Sequence, residues 1–155
     1  MHLLETRGVG DIVGLLEILE DVGKSVDIAR LDDSLDEERS TLMNLLNDAD
    51  ALGLLDIVNG DIHLTGLGKE FLKANIDGRK EILKRQVSNV EPFNSLMRDF
   101  RSREVPEMSK EELEDFIRSN FPSEDDVNTF NLIIGWGRYT RLLDYDSDDE
   151  VITLL

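Results

Sequence analysis

The stretch Leu54-Leu55-Asp56-Ile57-Val58-Asn59-Gly60-Asp61-Ile62-His63-Leu64 has a counterpart near the C-terminus, Leu142-Leu143-Asp144-Tyr145-Asp146-Ser147-Asp148-Asp149-Glu150-Val151-Ile152-Thr153-Leu154. In each, apolar and polar residues alternate on both sides of a turn, which is the period of a strand with one buried face. The Asn59-Gly60 dipeptide suits a type I′ turn, because both residues tolerate the positive φ angles that match the twist of the flanking strands. Each copy reads as a β-hairpin closing a small helical unit. The two copies lie too far apart for a solenoid period but suit two small units with a connecting helix.

The residues before each hairpin supply the helices. Ile12, Leu15, Leu16, Leu19 and Val22 recur at helical spacing, with Gly23 placed to end the helix in a left-handed cap. An extended Ser25-Val26-Asp27 and a brief segment from Ile28 to Leu35 follow. A helix is then predicted from Asp36 to Leu52, burying Leu42, Leu45, Leu46 and Ala49 and terminated by Gly53. In the second half Pro92 suits a first helical turn, ahead of the stripe Phe93, Leu96, Met97 and Phe100. Val105-Pro106 fits a short extended piece, and Ser109 with Glu112 has the capping-box spacing ahead of Leu113, Phe116 and Ile117. Ser123 is the expected start of a helix carrying Val127, Phe130 and Ile134 to about Arg141. Between the halves, Thr65 caps a helix bearing Leu67, Phe71 and Ala74, and Asp77 caps one from Gly78 toward Asn89. The expected fold is mainly α with small β-hairpins, as tandem winged-helix-like units joined by helices. The first unit with its following helix covers 8–75, a linker helix 76–91 and the second unit 92–155.

Winged-helix units mostly read DNA, and charge argues against that use. The chain of 155 residues has 34 acidic and 17 basic residues, a formal net charge of −17, which repels nucleic acid and anionic membranes unless cations cluster. The helix that would enter the major groove opens with Asp36, Glu37 and Glu38 in one unit and Glu124, Asp125 and Asp126 in the other. Acids there complement the positive end of the helix dipole and would oppose phosphate. The basic region is the connecting segment, where Arg79, Lys80, Lys84, Arg85, Arg98, Arg101 and Arg103 outnumber Glu81, Glu91 and Asp99. It could dock onto an acidic surface of the same chain, of a second copy as a homodimer, or of an acidic partner.

Catalytic and metal motifs are imitations at best. Thr65-Gly66-Leu67-Gly68-Lys69-Glu70 puts Glu70 where a phosphate-binding loop needs a hydroxyl, and a helix start explains both glycines. Asp144, Asp146 and Asp148 have the spacing that opens a calcium loop, but position six is Asp149 and position twelve is Leu155. A solvated acidic turn is the simpler reading. His2 and His63 have no partner at metal-ligand spacing, and no serine, histidine and acid form a nucleophile motif. No catalysis, cofactor or metal is expected. Trp136, between Gly135 and Gly137, has the ring of a partner-binding hot spot. Burial is the commoner fate of tryptophan, with the glycines allowing close contact against the linker helix. With no cysteine, no run of roughly 18 apolar residues and no apolar stretch in Met1 to Gly8, the expectation is a cytoplasmic protein without membrane insertion.

Ile134-Gly135-Trp136-Gly137-Arg138-Tyr139 followed by Leu143-Asp144-Tyr145-Asp146 resembles the C-terminal signature of the AAA-associated C-terminal domain family. Gly14-Leu15-Leu16-Glu17, Gly60-Asp61-Ile62-His63-Leu64-Thr65 with Gly68, and Arg79-Lys80-Glu81 with Arg85-Gln86 extend the likeness over nearly the whole chain. The resemblance implies an accessory or regulatory domain that follows the nucleotide-binding cassette of nitrate, sulfonate or bicarbonate type ABC importers, without ATPase activity of its own. No cassette precedes the domain here, so the expectation is a free-standing relative or an excised C-terminal region. The expected partner is an ABC-type ATPase or another protein, and the candidate contact residues are Arg79, Lys80, Lys84, Arg85, Trp136, Arg138 and Tyr139. The alternative is a DNA-binding transcriptional regulator using the basic connecting segment. A third class, small-molecule sensing between the units, requires a pocket.

Overall fold

A computed structural model describes residues 1–22, 26–27 and 39–155. The first half contains α1 (Val9–Val22), β1 (Val26–Asp27), α2 (Arg39–Ala51), β2 (Leu55–Val58) and β3 (Asp61–Leu64). Two connecting helices follow, α3 (Gly66–Lys73) and α4 (Ile76–Val87). The second half contains α5 (Phe93–Arg101), β4 (Glu107–Ser109), α6 (Lys110–Asn120), α7 (Asp126–Tyr139), β5 (Leu143–Asp146) and β6 (Val151–Leu154). The chain is mainly helical with two small antiparallel sheets, ordered β1-β3-β2 and β4-β6-β5. The expected cap at Gly23, the segment Ile28 to Leu35 and the acidic start Asp36 to Glu38 lie outside the described residues.

The two sheets are built alike because their central strands bury the same position. Ile62 pairs with Ile57 on one side and Val26 on the other, while Ile152 pairs with Tyr145 and Met108. Both isoleucines are fully buried. In the first hairpin Asn59 and Gly60 take φ of 51° and 82°, the pair of positive angles that a type I′ turn requires. The second hairpin has the longer turn Ser147 to Glu150, with Glu150 at φ 55°. Apolar residues from Leu4 to Ile152 form one continuous core cluster.

Helix starts follow local side-chain chemistry, with two shifts from the expected positions. Thr65 accepts a hydrogen bond from the Gly68 amide (3.0 Å) and donates to the Gly53 carbonyl (2.6 Å), joining the start of α3 to the end of α2. Ser109 and Glu112 form the complete capping box at α6. At α4 the cap is Asn75, accepting from the Gly78 amide at 2.7 Å, and Asp77 sits in the first turn. Only Ala74 and Asn75 separate α3 from α4, so the helix must start before Asp77 can cap it. At α7 the cap is Asp125, accepting from Asn128 at 2.9 Å, in place of Ser123. That helix ends at Tyr139, and Arg141, at φ 60°, turns the chain toward β5. The extended piece expected at Val105-Pro106 lies one step later, at β4. Pro106 offers only its carbonyl, which accepts from the Leu154 amide at 2.9 Å, because proline has no N–H for a ladder.

Two glycines divide by packing. A Cβ on Gly68 would lie 2.1 Å from the Leu54 carbonyl oxygen, where α3 presses on the entry to the first hairpin. A Cβ on Gly14, inside α1, would meet nothing within 4 Å. Gly68→Ala should therefore lose roughly 2 kcal/mol or more, since backbone must move. Gly14→Ala should gain roughly 0.5–1 kcal/mol from helix propensity. Urea denaturation of both variants checks the opposite signs; equal effects would contradict this packing.

Candidate functional site

The basic residues of the connecting segment divide into those that hold the fold and those that remain available. Arg79 donates from Nε to the Phe71 carbonyl (3.1 Å) and from Nη2 to the Leu72 carbonyl (2.9 Å), while its guanidinium lies 5.2 Å over the Phe71 ring. It thus satisfies carbonyls at the C-terminal end of α3, where helices leave them unpaired. Lys80 Nζ stands 5.3 Å over the ring of Tyr139, and Arg141 reaches Asp77 at 2.8 Å. These two contacts fasten α4 to the end of α7. Arg138, in the last turn of α7, packs against the second hairpin, over Tyr145 (5.6 Å) and 3.7 Å from Asp144. Lys84 and Arg85, in the last turn of α4, have no ion pair among the described residues.

Trp136 belongs to the interior. It is fully buried, and its indole Nε1 donates to the Thr6 carbonyl at 2.7 Å. The expected contact of its flanking glycines with the linker helix is not found. A Cβ on Gly137 would lie 2.4 Å from Leu143 of β5, whereas one on Gly135 would meet only the Arg7 carbonyl oxygen, at 3.8 Å. Of the other candidate contact residues at this signature, Arg138 is exposed and Tyr139 is half-buried.

Opposite Trp136 runs an N-terminal strap absent from the sequence reading. The Thr6 amide donates to Asp48 Oδ2 at 2.6 Å, the Glu5 amide to the same oxygen at 3.1 Å, and His2 Nε2 lies 2.7 Å from Asp48 Oδ1. Leu3 pairs with Glu91 as a parallel bridge, flanked by bonds from Leu4 to the Glu91 carbonyl (2.8 Å) and from Glu91 to the His2 carbonyl (2.7 Å). The strap therefore joins α2, the entry to α5 and α7. One signal was available: Asp48 falls three residues after Leu45, within the apolar stripe of α2, and is fully buried there. An acid on a buried face needs hydrogen-bond donors.

Two clefts of about 350 and 250 Å³ flank the strap, lined on one side by Thr41 and Asn44 of α2 and on the other by Asn128 and Thr129 of α7. Arg7 enters both, amid Glu5, Asp11, Glu124 and Asp125. The acids at the start of α7 are used locally: Asp125 caps the helix, and Asp126 pairs with Arg118 at 3.0 Å. Asp146 accepts from the Asp148 and Asp149 amides (3.0 and 3.2 Å), shaping the second hairpin's turn. Among the described residues no three His, Asp or Glu side chains are grouped to hold a metal. None of the described helices is long and apolar enough to cross a membrane. Arg103 bonds to Glu112 and Asp99. Its guanidinium, aided by the Ser109 amide, holds the Glu112 carboxyl below the usual carboxylate range.

The model of the C-terminal AAA-associated domain matches residues 29–146. This chain belongs to that family. The matched range includes α2, the connecting helices and the Trp136 to Tyr139 signature, and leaves α1 and the strap outside it. The C-terminal AAA-associated domain is an accessory domain linked to an ATPase. No curated protein matches the chain, and no solved structure does.

Two outcomes test this geometry. Asp48→Ala leaves the Glu5 and Thr6 amides without their acceptor and should cost about 2–4 kcal/mol, while Trp136→Phe should cost about 1–2 kcal/mol by orphaning the Thr6 carbonyl. Because both act on Thr6, their double-mutant cycle in urea should show coupling above about 0.5 kcal/mol; additivity would mean the strap transmits nothing. The Glu112 carboxyl ionises below its unfolded value, so its contribution is complete above the unfolded pKa and disappears as pH falls through the folded one. Glu112→Gln should accordingly be less stable than the parent at neutral pH, with the gap closing in strongly acidic buffer. A gap independent of pH would exclude this linkage.

Proposed function

We propose that the chain is a non-catalytic regulatory module that docks beside an ABC-type transporter ATPase, and that its two halves are tandem winged-helix-like units used as a protein-binding scaffold. Family membership over residues 29–146 is the observation that carries this reading. The shared strand order of the two sheets supports the winged-helix comparison, with units taken as 8–75 and 92–155 and 76–91 joining them. The setting is taken to be the cytoplasm, where an importer's ATPase works.

Charge supports protein over nucleic acid as the partner. The start of α7, which would face the major groove in a DNA reader, presents Glu124, Asp125 and Asp126, and the adjoining hairpin turn presents Asp146, Asp148, Asp149 and Glu150. Phosphate approaching these elements would meet carboxylates first. On the connecting segment, Arg79, Lys80 and Arg103 are occupied by contacts within the fold, which weakens the case for a DNA-binding regulator.

The test is a pull-down of the ABC-type ATPase by this chain, followed by ATP hydrolysis rates with and without it. Binding with a changed rate is expected. Absence of both, or a shift of duplex DNA at about 0.15 M salt, where nonspecific electrostatic binding is weakened, would overturn the proposal.

A further inference from the structure

We infer that the corner where α4 meets α5 is a self-association surface that receives the acidic β5–β6 turn of a second copy of this chain. This goes beyond the docking of an ATPase and does not depend on it.

The corner is built by a relay of hydrogen bonds. Arg98 donates to the Asn94 side-chain oxygen, Asn94 donates to the Ser88 carbonyl at 3.2 Å, and the Ser88 hydroxyl donates to the Lys84 carbonyl at 2.9 Å. The relay brings the last turn of α4, with Lys84 and Arg85, beside the face of α5 carrying Arg98 and, one turn on, Arg101. None of these four cations has an ion pair among the described residues. Of the nearby acids, Glu91 accepts from the Ser95 amide (3.1 Å) and hydroxyl (2.8 Å) and Asp99 takes Arg103 at 2.9 Å, while Glu81 and Glu104 are exposed near Arg85 and Arg101 in the chain. In a chain with twice as many acids as bases, these four cations against Glu81 and Glu104 still leave a local excess of positive charge.

The complementary surface is on the same chain. Asp146, Asp148, Asp149 and Glu150 are exposed and have no ion pair among the described residues. Their turn is held in shape by the Asp146 carboxylate and by the Lys110 amide, which donates to the Glu150 carbonyl at 2.9 Å. It therefore presents its charges in a fixed arrangement. No ion pair joins the corner to this turn within one molecule, so each copy carries an unmatched cationic face and an unmatched anionic one. Two copies related by a two-fold axis can match both at once, since each contact occurs twice in such a dimer.

The net charge of −17 sets the salt dependence. At about 0.01 M salt, with a Debye length of about 30 Å, whole-molecule repulsion keeps the copies apart; at about 0.15 M it is screened beyond about 8 Å while contacting pairs survive. Association should therefore pass through a maximum near physiological salt and vanish by about 1 M.

Sedimentation velocity on the full chain at these three salt concentrations tests the inference, using the parent, the pair Arg98→Glu with Arg101→Glu, and the pair Asp148→Lys with Asp149→Lys. The parent should double in mass at the intermediate salt, each charge-reversed variant should stay monomeric with an unchanged circular dichroism spectrum, and an equimolar mixture of the variants should regain the dimer. A parent that is monomeric at every salt would overturn the inference. So would a dimer that survives either reversal, because its contact would lie elsewhere. Neither result bears on the ATPase pull-down.

Discussion

Thr6 is the residue through which the two halves are fastened. Its amide donates to Asp48 on α2, and its carbonyl accepts from Trp136 on α7. An unmade buried hydrogen bond costs about 1–3 kcal/mol, so displacing Thr6, whose flanking peptide groups make one bond each, penalises both helices together. The Asp48 carboxylate makes the arrangement specific. A buried charge is tolerated only where donors surround it, and here they come from residues 2, 5 and 6. The value of such a site lies in fixing one relative placement of packed elements, since apolar residues of similar volume could match its net stability.

The same economy governs the surface charges. Arg79 closes the end of α3, Lys80 and Arg141 fasten α4 to the end of α7, and Arg103 ties α5 to the start of α6. Cations so used are poor candidates for binding a partner, because their hydrogen-bonding capacity and orientation are committed. On the connecting segment Lys84, Arg85, Arg98 and Arg101 have no ion pair among the described residues, and Glu91 and Asp99 are engaged by Ser95 and Arg103. In a strongly acidic protein they form a corner of locally positive charge. Electrostatics of that kind govern orientation and encounter more than they add affinity.

Much of the architecture was legible in the chain because it is local. The two hairpins follow from alternation and from Asn59-Gly60, and the starts of α3 and α6 follow from Thr65 and from the Ser109 and Glu112 spacing. The errors were also local in kind. Asn75 and Asp77, or Ser123 and Asp125, lie two residues apart and have similar capping chemistry. The choice within each pair depends on how the preceding chain is routed, which is a tertiary matter. The signature Trp136 to Tyr139 was readable as identity but not as surface. Roughly half a turn of α7 separates a tryptophan inside the core from an exposed arginine that packs against the hairpin.

By itself the sequence determined the repeated order of elements, the family and the acidic character, since each depends on residue types alone or at short spacings. Only the tertiary structure decided which cations are spent and which remain, and that the first residues of the chain bind both halves together. Those outcomes depend on contacts between residues as distant as Thr6 and Trp136, where no periodicity or spacing along the chain carries a signal. The repeated hairpin thus gives the order of elements, while Thr6, far along the chain from either hairpin, helps to hold α2 and α7 together.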